Sequence, residues 1–280
     1  MKPDPYAVVG NPIGHSLSPR IHALFAAQTN QNLLYEARLG STDHFEEDVR
    51  GWFRDGLRGL NVTVPFKEAA FRLVEHRTQR AERAGAVNTV WPEADGTLTG
   101  DNTDGAGFLR DLTQRLGFAA KGRKILILGA GGATRGLLEP LLRSGPSRLV
   151  VANRTPQKAL MLLQSFREIA GSTQLESSGL DRIPEGPYDL VINATAAGLG
   201  QGGLALPSGI ADKTAIAYDL VYGPASHPFL DWAREQGIAT RTDGLGMLVE
   251  QAAEAFAAWR GVHPDTAPVL ATLQRELGQR

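Results

Sequence analysis

The sequence predicts an α/β protein of two lobes, and three observations carry that prediction. Short apolar runs alternate with helix-length patterns along most of the 280 residues, the rhythm of parallel strands covered by helices. A glycine-rich turn, Gly129 to Ala133, follows one of those runs and opens a helical pattern. After the last strand candidate, Leu245, Leu248, Ala252, Phe256 and Trp259 fall at helical spacing. That helix is expected to return to the first lobe, so that the chain crosses twice and leaves a cleft.

Taken in order, the strand candidates are Tyr6–Val9, Gly59–Val64, Lys124–Leu128, Arg148–Ala152, Asp189–Asn193, Thr214–Asp219 and Ile238–Thr240. Helix-length patterns lie between them, Ala133–Ser144 and Pro156–Ala170 among others. RLGFAAKGRK (115–124) marks a junction ahead of a second strand–helix series, and the Gly-rich stretch 198–209 reads as a mobile loop. The expected domains are 1–104 plus 245–280, and 105–244.

Hydrophobic content of 42% and charged content of 21% suit a chain that buries a full core. A net charge of −1 supplies no global field for nucleic acid or an anionic membrane surface. An anionic ligand has to be caught locally. No apolar run approaches a membrane span, and the opening MKPDPYAVVG carries no apolar signal core. The chain has no cysteine, which removes disulfides, thiol nucleophiles and thiolate-held metals and fits a cytoplasmic protein. Asp101 and Asp104 do not match the alternate acids of a calcium loop, and no His pair has zinc-helix spacing, so no metal is expected.

KILILGAGGATRG sets Gly129, Ala130, Gly131, Gly132 and Ala133 directly after a buried strand and at the start of a helix. In that context glycines let the backbone approach a pyrophosphate, and the helix N-terminus supplies oriented N–H groups. Thr134 stands where the third glycine of a dinucleotide fingerprint falls. The next strand ends at Ala152, where an NAD enzyme carries a carboxylate for the ribose 2′-hydroxyl. Here Asn153, Arg154 and Thr155 occupy the tip, with Lys158 one helical turn on. A carboxylate would repel a 2′-phosphate and an Arg fork binds one, so these residues favour NADP over NAD. They also read as a solvated helix start, with Thr155 as N-cap and Pro156 in the first turn.

In the N-terminal half, GNPIGHSLSP (10–19) is too rich in Gly and Pro for regular structure. It holds two hydroxyls, Ser16 and Ser18, on a stiff turn after the first strand. His15 within it reads as a structural hydrogen-bonding group. GLNVTVPFKE (59–68) is a strand running into Pro65 with Lys67 beyond its end, and GAVNTV (85–90) and GDNTDG (100–105) follow. Thr63, Asn88 and Asp104 therefore fall at element edges, where sheet proteins collect ligands. Gln251 is the polar member of a stripe with Met247, Leu248 and Ala255, which points to a buried partner.

In that order, GNPIGHSLSP, NVTVPFK, AGAVNT, GDNTDG, GAGGATRG, NRT, INAT and DGLGMLVEQA resemble the shikimate dehydrogenase family over essentially the whole chain. The resemblance implies an N-terminal α/β substrate domain and a Rossmann-like NADP-binding domain, with the C-terminal helices returning to the first lobe. It implies reduction of the C3 ketone of 3-dehydroshikimate to shikimate with NADPH, in aromatic amino-acid biosynthesis. On the same resemblance Ser16 and Ser18, with the Tyr222 hydroxyl, bind the substrate carboxylate. Three neutral donors hold an anion without an Arg. Thr63, Lys67, Asn88, Asp104 and Gln251 are implied to hydrogen-bond the ring hydroxyls and the reacting oxygen, and Gly244 and the backbone around Leu220 to lie against the nicotinamide. Lys67 is the candidate acid, with Asp104 orienting it and the substrate. Whether Lys67 yields a proton or only stabilises the alkoxide stays open at this point.

The chain departs from the family at Gln79, where an acidic residue is frequent, at Leu220, where Met is frequent, and at Ala196, where Ser is common. The expected partner is a small-molecule substrate, with no nucleic acid and no membrane, for a monomer or homodimer. Two rival readings stand beside this one. A quinate/shikimate dehydrogenase shares the scaffold and accepts NAD. A non-catalytic NADP sensor on the same fold is the other, against which intact Lys67 and Asp104 argue.

Overall fold

The computed structural model describes residues 2–195 and 206–278. The chain divides into two compact units, Met1–Gly107 with Leu248–Arg280, and Phe108–Met247.

The N-terminal stretch folds as β1 (Asp4–Gly10), α1 (Ser18–Thr29), β2 (Leu33–Leu39), α2 (Phe45–Arg54), β3 (Gly59–Val62), α3 (Lys67–Leu73), β4 (His76–Arg77), α4 (Gln79–Ala84), β5 (Thr89–Pro92), β6 (Leu98–Asp101) and α5 (Asp104–Arg110). Its sheet runs β2-β1-β3-β5-β6-β4. β1 is parallel to β2 and β3, but β5 is antiparallel to both β3 and β6. The expectation of parallel sheets is corrected here. Glu93–Gly96 closes a hairpin, with Gly96 at φ +86° and Asp95 accepting from the Thr97 N–H and hydroxyl. So short an Asp-Gly link leaves no room for a crossover helix, and the two strands must run opposite ways. One face of the sheet packs Val9, Val49, Leu60, Val62 and Phe66, and the other packs Tyr6, Val8, Ile13 and Tyr35.

The second unit carries β7 (Lys124–Leu128), α6 (Gly132–Arg143), β8 (Arg148–Ala152), α7 (Pro156–Gln164), β9 (Gln174–Ser178), β10 (Tyr188–Asn193), β11 (Ala211–Asp219), α8 (His227–Glu235) and β12 (Thr240–Thr242). All six strands are parallel, in the order β12-β11-β10-β7-β8-β9. Central strands buried on both faces read as continuous apolar runs, and Ile125 to Leu128 are fully enclosed. The strand order reverses between β7 and β10, and a doubly wound sheet collects its ligand beyond the carboxyl ends at such a point. Gly129 to Ala133 leave β7 there.

α9 (Leu245–Arg260) and α10 (Thr266–Gly278) complete the chain, and from Leu248 onward they belong to the first unit. Trp259 of α9 packs on Tyr6 of β1 with ring centroids 5.0 Å apart. A Cβ at Gly107 would come within 2.4 Å of the Gln251 backbone nitrogen, so only glycine lets α5 approach α9 this closely.

Local expectations shift at element ends. The strand expected at 238–240 is Thr240–Thr242, because the Ile238 N–H bonds the Ala233 carbonyl at 3.0 Å and closes α8. The helix expected through residue 170 ends at Gln164, where the Ser165 hydroxyl bonds back to the Leu162 carbonyl at 2.7 Å, and a short 3-10 turn follows at Arg167–Ile169. Ala196 and positions 198–205 of the Gly-rich stretch lie outside the described residues. Among the described residues no helix is long and apolar enough to cross a membrane, and no group of His, Asp and Glu is arranged to hold a metal.

Candidate active site

Seven of the expected site residues share the first unit. Ser16 and Ser18 follow β1, Ser18 opening α1; Thr63 follows β3; Lys67 opens α3; Asn88 precedes β5; Asp104 opens α5; Gln251 lies within α9. Lys67 Nζ is 2.6 Å from Asp104 Oδ2. The other Asp104 oxygen accepts from Asn88 Nδ2 at 2.8 Å, and the Asp104 N–H bonds Asn102 Oδ1 at 3.1 Å. Asn88 Nδ2 also approaches Gln251 Oε1 at 3.3 Å, while Gln251 Nε2 donates to the Leu248 carbonyl at 2.9 Å. The Lys67 side chain is 30% exposed and that of Asp104 12%. An inward carboxylate thus holds a half-buried ammonium whose other protons remain to be shared.

The serine turn is tied by its backbone and by Asn11. Ser16 N–H bonds the Ile13 carbonyl at 3.0 Å, Ser16 Oγ accepts the Ser18 N–H at 3.3 Å, and Asn11 Nδ2 donates to the Gly40 carbonyl at 3.1 Å. His15, expected to settle this turn, is exposed and bonds to nothing among the described residues. Thr63 donates its N–H to the Val9 carbonyl at 2.9 Å, and its methyl lies where a Cβ on Gly10 would sit, 2.5 Å away. Gln79 starts α4 on the exposed surface, where Thr78 accepts the Ala81 N–H at 3.3 Å as the helix cap.

The other expected residues lie in the second unit. Gly129 has φ +104°, and a Cβ there would meet the Ala194 carbonyl oxygen at 2.9 Å, so the turn requires glycine. Gly131 and Gly132 face open space at the start of α6. Thr134, at the third glycine position, is fully buried and donates to the Gly129 carbonyl at 2.8 Å, tying the loop on itself. Asn153 Oδ1 accepts the Ala130 N–H at 3.2 Å and its Nδ2 donates to the Thr155 carbonyl at 2.9 Å. The Thr155 hydroxyl makes no capping bond; Asn153 braces the segment instead. Arg154 and Lys158 are exposed, and neither takes part in an ion pair among the described residues. Open glycines, free helix N–H groups and two unpaired cations fit a nucleotide with an extra phosphate.

Leu220, Tyr222 and Gly244 are gathered into one knot after β11. Leu220 N–H bonds the Asn193 carbonyl at 2.9 Å, and Gly244 N–H bonds the Val221 carbonyl at 2.9 Å. A Cβ on Gly244 would lie 2.2 Å from the Leu220 carbonyl oxygen. Asp243 accepts the Gly223 N–H at 3.0 Å and the Leu245 N–H at 3.1 Å. Asp219 accepts from Asn193 Nδ2 at 2.8 Å and from the Val221 N–H at 2.9 Å. Burial pushes the Asp219 carboxyl up to about 6, Asp243 adding to the rise while those two bonds oppose it.

Sequence reasoning missed the residues beneath the site. Arg80 forks onto Asp101 at 2.7 and 2.5 Å, and Asp101 Oδ1 accepts the Asn102 N–H at 2.7 Å, which steadies the segment leading into Asp104. Tyr35, Asn61, Thr89 and Thr103 bond one another and Asn88. One signal was present: Asn61 is a polar residue inside the otherwise apolar, fully buried strand GLNV.

Comparison with known proteins finds relatives over nearly the whole chain. Residues 8–90 match the shikimate dehydrogenase substrate binding domain, 111–199 the shikimate / quinate 5-dehydrogenase model, and 244–274 the shikimate 5′-dehydrogenase C-terminal domain. A shikimate dehydrogenase (NADP(+)) of Alkalilimnicola ehrlichii is 52% identical over 98% of this chain and 99% of its own length. Among solved structures, an Ael1 enzyme from Pseudomonas putida is 47% identical with a TM-score of 0.86, covering 96% of this chain and 98% of its own. Shikimate 5-dehydrogenase from Thermus thermophilus, in complex with NADP(H) and shikimate, is 35% identical with a TM-score of 0.84, covering 97% and 99%.

Proposed function

Because the chain belongs to the shikimate dehydrogenase family, we propose that it catalyses the reversible NADPH-dependent reduction of 3-dehydroshikimate to shikimate, toward chorismate and the aromatic amino acids. The observation that carries the reading is the Lys67–Asp104 pair at 2.6 Å, set on a polar floor of Asn88 and Gln251. NADPH supplies the hydride for the C3 ketone. As charge grows on the ketone oxygen, the Lys67 ammonium donates a hydrogen bond and then a proton to it, and Asp104 keeps that ammonium in place. Asn88, Thr63 and Gln251 present donors and acceptors to the ring hydroxyls, and Ser16 and Ser18 give their hydroxyl protons to the carboxylate, with Tyr222 as the third donor. On the cofactor side Gly129, Ala130, Gly131, Gly132 and Ala133 take the pyrophosphate, Asn153, Arg154, Thr155 and Lys158 the adenosine ribose with its 2′-phosphate, and Leu220 and Gly244 the nicotinamide. Residues 1–104 with 245–280 thus serve the substrate and 105–244 the cofactor, apart from Tyr222, which serves the substrate. The reading includes a cytoplasmic enzyme, monomer or homodimer, that works on a small molecule alone.

The test is an assay of shikimate and quinate, each with NADP and with NAD, followed by absorbance of the reduced nicotinamide. Turnover of shikimate with NADP well above the other three combinations supports the reading. Comparable rates with quinate and NAD would transfer the assignment to a quinate/shikimate dehydrogenase. No turnover of either acid would leave a cofactor-binding protein without this chemistry.

A further inference from the structure

Beneath Asp104 the first unit holds a buried hydrogen-bond chain that runs toward its carboxylate. Asn61 and Thr89 are partners across the antiparallel β3–β5 pair. Asn61 Nδ2 lies 3.1 Å from the Asn88 backbone carbonyl, which only accepts, so the amide of Asn61 has one permitted orientation. Its Oδ1 must then receive the Tyr35 hydroxyl, 2.7 Å away, and its Nδ2 donates also to Thr89 Oγ1 at 3.1 Å. Thr89, accepting there, sends its own proton to Asn88 Oδ1 at 2.9 Å. That oxygen also takes the Thr103 N–H at 2.9 Å, which leaves Asn88 Nδ2 aimed at Asp104 Oδ1, 2.8 Å away. Every donor from Tyr35 onward points toward the carboxylate that holds Lys67.

The chain is anchored at its far end by packing. The His22 ring stacks on Tyr35 with centroids 4.0 Å apart and planes within 4°. Tyr35 is 7% exposed and Thr89 fully enclosed. Burial pushes the Tyr35 phenol well above its ordinary range, so it keeps the proton it donates, and a bond from Ser18 opposes that shift. Hydrogen bonds in such a line polarise one another, and a break at one link is felt at the next.

We propose that Tyr35 and Thr89 are positioning residues for the Lys67–Asp104 pair: acting through Asn61 and Asn88, and together with the Thr103 N–H, they hold the Asn88 amide in place and so set where the Asp104 carboxylate stands. The proposal rests on the reading of Lys67 and Asp104 as the reacting pair. Neither Tyr35 nor Thr89 needs to touch the substrate.

The test uses the full-length enzyme as Thr89→Val, Thr89→Ser, Tyr35→Phe, Asp104→Ala and the double variant Thr89→Val/Asp104→Ala, with kcat, shikimate KM, NADP affinity and Tm measured for each. Thr89→Val and Tyr35→Phe are expected to lower kcat about tenfold, the worth of one hydrogen bond realised in the reacting state. NADP affinity should stay unchanged. Thr89→Ser, which keeps the hydroxyl, should hold kcat within about twofold of the parent, and the double variant should fall no lower than Asp104→Ala alone. Equal losses in Thr89→Val and Thr89→Ser would reduce Thr89 to a packing residue and overturn the proposal. An unmoved kcat in Thr89→Val beside a collapsed Asp104→Ala would overturn the positioning role alone. An unmoved Asp104→Ala would overturn the reading of the pair itself. If Thr89→Val fails to fold, Tyr35→Phe decides the same question from the far end of the chain through kcat alone, since its bond with Ser18, a carboxylate-binding residue, is expected to move KM.

Discussion

Lys67 Nζ and Asp104 Oδ2 stand 2.6 Å apart, and the second Asp104 oxygen is taken by Asn88. The carboxylate is thereby held in position with a lone pair left on each oxygen, and the ammonium it holds is the group that can act on a ligand as an acid. We expect Lys67→Ala or Asp104→Ala to lower kcat about a hundredfold or more, as loss of an acid or an oxyanion partner does. Lys67→Ala should leave NADP affinity nearly unchanged, because Lys67 belongs to the unit without the glycine loop. Lys67→Arg separates the two roles: a guanidinium keeps the charge but does not release a proton. Recovery of kcat by Arg would make the residue an electrostatic stabiliser, and a steady-state kcat within about twofold of the parent for Lys67→Ala would remove it from the mechanism.

Ser16 and Ser18 sit on one turn, the first accepting the N–H of the second at 3.3 Å. Ser16→Ala and Ser18→Ala should each weaken shikimate binding about ten- to a hundredfold, the loss of one hydrogen bond to a charged group. Quinate, sharing the carboxylate, should suffer alike, and NADP affinity should be spared. A shift confined to the NADP dissociation constant would assign this turn to the cofactor.

How much of this was legible beforehand depended on whether the cause was local. β7 and β8 were readable to the residue, since Ile125–Leu128 and Leu149–Ala152 are unbroken apolar runs, each led in by one basic residue. The strand Gln174–Ser178 was not seen: its burial is only partial along its length, so no apolar run marks it. Lys67 and Asp104 could be singled out because each opens a helix beside a short polar motif. Tyr35 and Thr89 left no pattern that spacing could find, and Asn61 only its polar side chain inside the strand GLNV. Their meeting is set by the register of β3 on β5 and by the hairpin that makes β5 antiparallel. His15 misled for the opposite reason: an imidazole among Gly and Pro suggests a turn brace, but the backbone and Asn11 already close that turn.

His22 and Asp219 pull acid stability in opposite directions. Burial drives His22 down to about 3, the neighbouring Asn61 amide oxygen opposing the shift, so the folded chain holds it neutral. Below its unfolded value of ~6.5 the unfolded chain takes up a proton that the folded chain refuses, and stability falls by ~1.4 kcal/mol per pH unit, or ~2 kcal/mol between pH 6.5 and 5. Asp219, raised to about 6, binds its proton more tightly folded than unfolded, so it adds stability as pH drops through 6 toward 3.8. Urea unfolding of the parent, His22→Phe and Asp219→Asn across this range separates the two. Relative to the parent, His22→Phe should gain stability on acidification and Asp219→Asn should lose it. Parallel curves for all three would sink both assignments.

Cofactor choice rests on the tip of β8. Arg154 and Lys158 are exposed there without ion-pair partners among the described residues, and no carboxylate occupies positions 153 to 158. Phosphate binding by two such cations is charge-assisted and weakens with salt. We expect a preference for NADP over NAD of at least about a hundredfold in kcat/KM, equivalent to roughly 2.7 kcal/mol. Arg154→Ala should cut efficiency with NADP strongly and leave NAD nearly untouched, since NAD has no 2′-phosphate to lose. Asn153→Asp is a different case. Asn153 spends its oxygen on the Ala130 N–H and its amide protons on the Thr155 carbonyl. A carboxylate there would face that carbonyl with no donor, so both the loop and the 2′-phosphate contact should suffer, and NAD should lose efficiency as well. Initial rates with both cofactors at low and high salt decide the matter. Equal losses with NAD and NADP in Arg154→Ala would show that Arg154 serves the fold or the adenine, and a parent enzyme that prefers NAD would overturn the role of the pair.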